Sequence, residues 1–365
     1  MVEETVTVLS RMREMGFRYP KKYTGTYGLE LETETKDVSA YPDGFFKENT
    51  SSGYIRYDLP LKDWEGHSDG SLRNFGMEFV LKKPLSFDGT MKALDEFNEQ
   101  TRSVPFIKNA PATSIHVHVN MLPESPLAMA NFLALYTLFE NVLVDYSGES
   151  RRSNLFALPM RVAGKTATNL LGLIDMMISK NPNVVSLNPH YIKYAALNLA
   201  PVTTFGSLEL RSFRGETDIN EVKDWVRIID AMLNYARTPG LTPRIVMFEY
   251  KLRGLEYLSV VFGEMAEKIR AFVNDTGELI EKNLWLLYKI ATVTQDWEKL
   301  NEEAKVEKKK VVVGDYAPTS QVTLEQLQAA QAMLNNNPWG SQPMHVIEDE
   351  PAYQPDEDDN YDELD

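Results

Sequence analysis

YTGTYGLELETE, residues 23–34, sets apolar and acidic side chains in alternation through its second half. A two-residue period is that of a β-strand, whose successive side chains point to opposite faces. Glu30 and Glu32 therefore share one face and Leu29 and Leu31 the other, with Gly28 just ahead of them. A strand written this way belongs in an antiparallel sheet with one covered, apolar face and one polar face. Taken alone, the segment reads as a half-exposed strand carrying two hydrated carboxylates.

Working outward, GMEFVLKKPL (76–85) reads as a strand ended by Pro84, and ATSIHVHVN (112–120) as another. YIKYAALNLA (191–200) and FGSLELRSFRG (205–215) complete the strand-like set. Helical spacing marks TMKALDEFNEQTRS (90–103), the very apolar 126–148 with Pro126 near its start, and 166–180. From 219 to about residue 300 the pattern is mostly helical. The expected fold is α+β, an antiparallel sheet covered by helices. We expect one folded body over 1–300, a charged linker at 301–345 with a short helix at 322–335, and a disordered acidic tail at 346–365.

Composition narrows the chemistry. The chain has 365 residues and no cysteine, which removes disulfides, thiolate zinc sites, iron–sulfur clusters and a cysteine nucleophile. The net charge is −15, but residues 346–365 hold ten acids and no Lys or Arg, so the remainder carries only −5. That balance argues against non-specific nucleic-acid binding and leaves a basic partner for the tail as an open reading. No stretch reads as an export signal or a membrane span, and the expected location is the cytoplasm.

Several clusters could carry chemistry. Glu78 sits between apolar neighbours in GMEFV, and a buried carboxylate needs a partner. Asp69, in HSDGSL, is standard turn chemistry or a further oxygen ligand. His116 and His118 share a strand face; such a pair suits Zn, Mn or Fe as imidazoles, suits Mg or Mn beside carboxylates and phosphates, or simply packs. Glu209 and Arg211 share a face in SLELRSFRG, with Ser207 and Phe213 extending the alternation. They form a structural ion pair, or hold a cation and a phosphoryl oxygen. The Gly164-Lys165-Thr166 of AGKTAT is not a phosphate loop, because Pro159 stands where that loop needs its first glycine. Neither G-x-S-x-G nor a dinucleotide glycine motif is present.

Read in order, GLELE, DGSL with GMEFV, HVHVN, RRSNLFALP, KYAALNL and LELRSFRG resemble the amidoligase family of the glutamine synthetase and glutamate–cysteine ligase superfamily, in particular its phage and prokaryotic type, over residues 25–235. The resemblance implies a sheet with a concave active-site face, ATP, and Mg²⁺ or Mn²⁺. It implies one ion on Glu30, His116 and Glu209 and another on Glu32, Glu78 and Asp69, with His118 on the nucleotide or stacked beneath the site. Arg211 and Arg214 would be catalytic. Arg151, Arg152, Asn154, Lys193 and Asn198 would line the substrate or nucleotide pocket. The implied activity joins a carboxylate to an amine through an acyl phosphate, and a phage origin would put it in the host cytoplasm. Two other readings stay open: a metal-dependent hydrolase on the same residues, and a non-catalytic interaction protein acting through its acidic tail.

Overall fold

The computed structural model describes residues 6–19, 24–49, 55–152, 154–155, 157–160, 166–178, 187 and 194–294. They lie in one compact unit, Met1–Lys310. The expected linker, the helix at 322–335 and the acidic tail fall outside the described residues.

Eight strands form one open sheet: β1 (Tyr27–Thr35), β2 (Lys47–Asn49), β3 (Arg56–Asp58), β4 (Trp64–His67), β5 (Phe75–Leu81), β6 (Ser114–Asn120), β7 (Leu197–Asn198) and β8 (Ser207–Arg214). Their order is β2-β3-β4-β5-β1-β6-β8-β7, and every neighbouring pair is antiparallel. Eleven helices accompany them among the described residues, so the fold is α+β as the sequence predicts. The opening segment is the central strand.

Register follows from burial. β1 lays Leu29 and Leu31 on the same side as Phe79 of β5 and Ile115 and Val117 of β6, all buried. Helices cover that side. α1 (Val8–Glu14) comes first; α2 (Phe87–Thr101) starts on Ser86, whose Oγ accepts from Gly89 N, and packs Phe97 edge-on to Phe79 at 4.9 Å. The Trp64 indole of β4 donates to Ala93 O of α2 at 3.0 Å. α3 (Pro126–Tyr146), α4 (Thr166–Ile178), α5 (Pro201–Thr204) and α6 (Ile219–Ala236) follow, and Trp225 of α6 stacks on Phe213 of β8 at 4.9 Å. Each such large apolar side chain contributes roughly 1.5–3 kcal/mol by leaving water. The chain continues through α7 (Pro243–Arg253), α8 (Glu256–Phe262), α9 (Met265–Phe272), α10 (Thr276–Glu281) and α11 (Leu284–Val293), in line with the helical run expected there.

Three expectations change. Among the described residues α3 alone could cross a membrane by length and composition; all its residues but Leu127, Asn141 and Asp145 are buried, as in a core helix. The strand expected over 191–200 contracts to β7, with residues 191–193 outside the described set. Phe213 does not share a face with Glu209 and Arg211. The β6–β8 register shifts between Ile115 and Val117, which face Phe213 and Leu210, so β8 carries an extra residue around Arg211 and Ser212. This β-bulge reverses the alternation and sends Phe213 into the helical layer.

Candidate active site

The polar side of the sheet is built by register. Glu30 lies opposite His116, Glu32 opposite Glu78, His118 opposite Glu209, and Asn198 opposite Glu209 on the far side. Gly28 faces His118, where a Cβ would stand 3.2 Å from the His118 Cβ. Residues from 28 to 209 thus meet on five adjacent strands, β5, β1, β6, β8 and β7, because antiparallel pairing fixes which side chains face each other.

Both rings of the histidine pair touch carboxylates. His116 is buried, with Nδ1 2.8 Å from Glu30 Oε2 and 3.5 Å from Glu209 Oε1. Its Nε2 lies 2.7 Å from Ser114 Oγ, which donates to Glu32 Oε2 at 2.6 Å. His118 sets Nε2 3.0 Å from Glu30 Oε1 and Nδ1 3.1 Å from Ser207 Oγ. Asn198 Nδ2 donates to Glu209 Oε2 at 2.6 Å, and Arg211 Nη1 donates to Glu209 Oε1.

Charge on this face is unevenly balanced. Burial alone would raise the Glu30 carboxyl, but His118 and His116 hold it well below the usual range. Burial would lower His118, yet Glu30 and Glu209 push it up to about 9. Glu78 goes the other way: burial, then Glu30, Glu32 and Asp69, push its carboxyl up to about 8. Arg211 stays protonated among Glu209, Glu30 and Glu32 against the pull of burial. Its buried Nε has no hydrogen-bond partner among the described residues.

Three groups offer ligand atoms that lie within 4.8 Å of one another: Glu30, Glu78 and His116; Glu30, His118 and Glu209; and Glu32, Asp69 and Glu78. The last is the set expected for a second ion. Asp69 serves it while also capping its turn, accepting from Ser71 N at 2.7 Å. A donor set of carboxylate oxygens with one imidazole suits Mg²⁺ or Mn²⁺. Burial, with the carboxylates around it, raises the Glu78 carboxyl, and ligand oxygens gathered this closely are residues that fit a divalent cation.

Other expected residues lie elsewhere. The Arg214 guanidinium pairs with Glu216 and, at 3.7 Å, with Glu221 of α6. Arg152 is half exposed and pairs with Asp145 at the end of α3. Asn154 is half-buried in a turn, its N–H donating to Arg151 O and its carbonyl accepting from Ala157 N. Arg151, in a 3₁₀ turn (Glu149–Arg151), spends its guanidinium on the backbone of β8. Lys193 is outside the described residues.

Three site residues lie outside the expected set: Ser114, which joins Glu32 to His116, and Glu65 and His67 of β4. β4 places His67 opposite Glu78, with Nδ1 3.6 Å from Glu78 Oε2 and Nε2 3.0 Å from Glu65 Oε1. The period-two pattern of Trp64, Glu65, Gly66 and His67 carries the signal, in a strand of only four residues.

No curated protein matches the chain. A family described as "Putative amidoligase enzyme" matches residues 37–233. The match takes in β2 to β8 and with them Asp69, Glu78, His116, His118, Glu209 and Arg211; it leaves out β1 with Glu30 and Glu32. It covers more than half of the chain, which therefore belongs to this family of amidoligase enzymes.

Proposed function

We propose that the protein is an ATP-dependent carboxylate–amine ligase of the glutamine synthetase and glutamate–cysteine ligase superfamily. The observation that carries this reading is the unpartnered Nε of Arg211 set among Glu30, Glu32 and Glu209, in a chain of an amidoligase family. A cation-binding carboxylate face with a guanidinium donor to spare is the environment a polyphosphate needs.

Glu32, Glu78 and Asp69 would hold one divalent ion, and Glu30 and Glu209 with one of the two imidazoles another. Bound there, Mg²⁺ or Mn²⁺ neutralises phosphoryl oxygens. The substrate carboxylate oxygen attacks the γ-phosphorus of ATP; the bond to the β-phosphate oxygen breaks, and ADP and an acyl phosphate result. Arg211 donates to the phosphoryl oxygens as charge shifts across them. The amine then attacks the acyl carbon and loses a proton, the carbon–oxygen bond to phosphate breaks, and an amide and inorganic phosphate form. Glu209 and Asn198 orient Arg211 through their mutual contacts.

Calorimetric titration with the non-hydrolysable analogue AMPPNP tests this reading. Binding is expected with Mg²⁺ present, lost on chelation, and lost in Glu32→Gln and Glu209→Gln. Turnover of an amide substrate without nucleotide, or no AMPPNP binding, overturns it in favour of the hydrolase.

A further inference from the structure

The β-bulge in β8 raises a question of bonding. Two residues, Arg211 and Ser212, stand where β6 offers one, so their backbone groups fall out of the regular ladder. A buried carbonyl without a donor is destabilising, so each of the two needs a partner. Here Arg151 supplies the donors: its Nε donates to Ser212 O at 3.0 Å and its Nη2 to Arg211 O at 2.8 Å. The side chain is 3% exposed. A guanidinium is suited to this because its donors form a rigid, planar fork.

The clamp is itself braced. Arg151 N donates to Gly148 O, closing the turn that follows α3. Ser147 Oγ sits 3.4 Å from Ser212 Oγ, and Arg211 N donates to Ala196 O at 2.8 Å. The bulge is thus held from the end of α3 on one side and from Ala196, just ahead of β7, on the other. Its consequence is directional. Phe213 turns into the helical layer against Trp225, while Arg211 keeps its guanidinium against Glu209 on the polar face.

We propose that Arg151 is a positioning residue: it grips both bulge carbonyls and thereby fixes the direction in which Arg211 points. It touches neither nucleotide nor substrate. The clamp is independent of the ligase reading; only what Arg211 then does for a phosphoryl group rests on it.

Two measurements on the full-length protein test the proposal separately from that reading. The first is the ¹⁵Nε–Hε resonance of Arg211, assigned by its disappearance in Arg211→Lys. It is expected to move and broaden in Arg151→Gln, and also in Arg151→Lys, which keeps the charge but cannot bridge two carbonyls. Circular dichroism identifies variants that fold. If Arg151→Gln does not fold, Arg151→Lys carries the test. An unchanged Arg211 resonance in a folded variant overturns the clamp. The second is a double-mutant cycle on Mg²⁺–AMPPNP affinity. Arg151→Gln and Arg211→Gln are each expected to lose roughly tenfold, one charged hydrogen bond's worth, and the double variant no more than Arg211→Gln alone. Losses that multiply mean that Arg151 meets the nucleotide itself, which overturns the proposal. Wild-type protein that binds no AMPPNP overturns the ligase reading, and the resonance still decides the clamp.

Discussion

Glu78 and Phe79 are neighbours on β5 and do opposite things. Phe79 is wholly buried against Phe97, Tyr41 and Phe46. Glu78 faces the other way, toward Glu32 and His67, with its carboxyl displaced upward by burial and by like charges. One face of the sheet is a source of stability. The other holds ionised groups in an arrangement that a fold selected only for stability has no reason to keep. Acid crowding on one side is tolerable because aromatic and aliphatic packing on the other outweighs it.

The sharpest way to break this contrast is Phe79→Ala, which is expected to cost about 3–5 kcal/mol, read as a lower denaturation midpoint at unchanged slope. A loss below about 1 kcal/mol would mean that the apolar face is not what supports the sheet. Next in size is Ser114→Ala. It removes the hydroxyl that joins Glu32 to His116, and Mn²⁺ affinity measured by electron paramagnetic resonance is expected to fall roughly 10–100-fold while stability changes little.

Glu78→Gln should act in the opposite sense to Phe79→Ala, making the chelator-treated protein more stable by on the order of 1 kcal/mol above about pH 8. The sign follows from the raised carboxyl. Folded protein keeps the Glu78 proton up to about 8, whereas the unfolded chain releases it near 4.5. This group's contribution therefore falls as pH rises through that window and is constant beyond it. Subtracting the variant's stability–pH curve from that of the wild type isolates the effect, and saturating Mg²⁺ should flatten it. The smallest change is expected for Arg152→Ala. Its half-exposed pair with Asp145 contributes less than about 1 kcal/mol, and AMPPNP affinity should be unaltered.

The same contrast explains what could be read from the residues alone. β1, β6 and β8 declare themselves because apolar and charged side chains alternate over enough positions to fix both the period and the face. That alternation puts Glu30 with Glu32, His116 with His118 and Glu209 with Arg211 on shared faces; that they join Glu78 of β5 in one site is what the family resemblance implies, and the register brings them onto one side of the sheet. β2 and β3 are three residues each and largely exposed, so they leave no apolar stripe to find. His67 ends a four-residue strand that merges into the turn of Asp69, and turn chemistry masks it. The bulge leaves only a faint trace. SLELRSFR alternates as far as Arg211, then sets a second polar residue, Ser212, beside it and moves Phe213 into the opposite phase, so extending the first alternation puts Phe213 on the wrong face. Arg151 reads as a substrate contact because an arginine that serves carbonyls looks, in sequence, like one that serves anions.

The central position of β1 bears on how the protein can be dissected. The family's match begins two residues after this strand ends, so a fragment cut to the matched region would lose the strand that joins β5 to β6. Both would then present raw edges, with a row of unanswered N–H and C=O groups inviting intermolecular pairing. The stretch recognisable by similarity and the smallest autonomous folding unit are therefore different objects here. Expression of residues 37–233 alone should give insoluble protein, and co-expression with a peptide spanning β1 is the natural route to a soluble, split form.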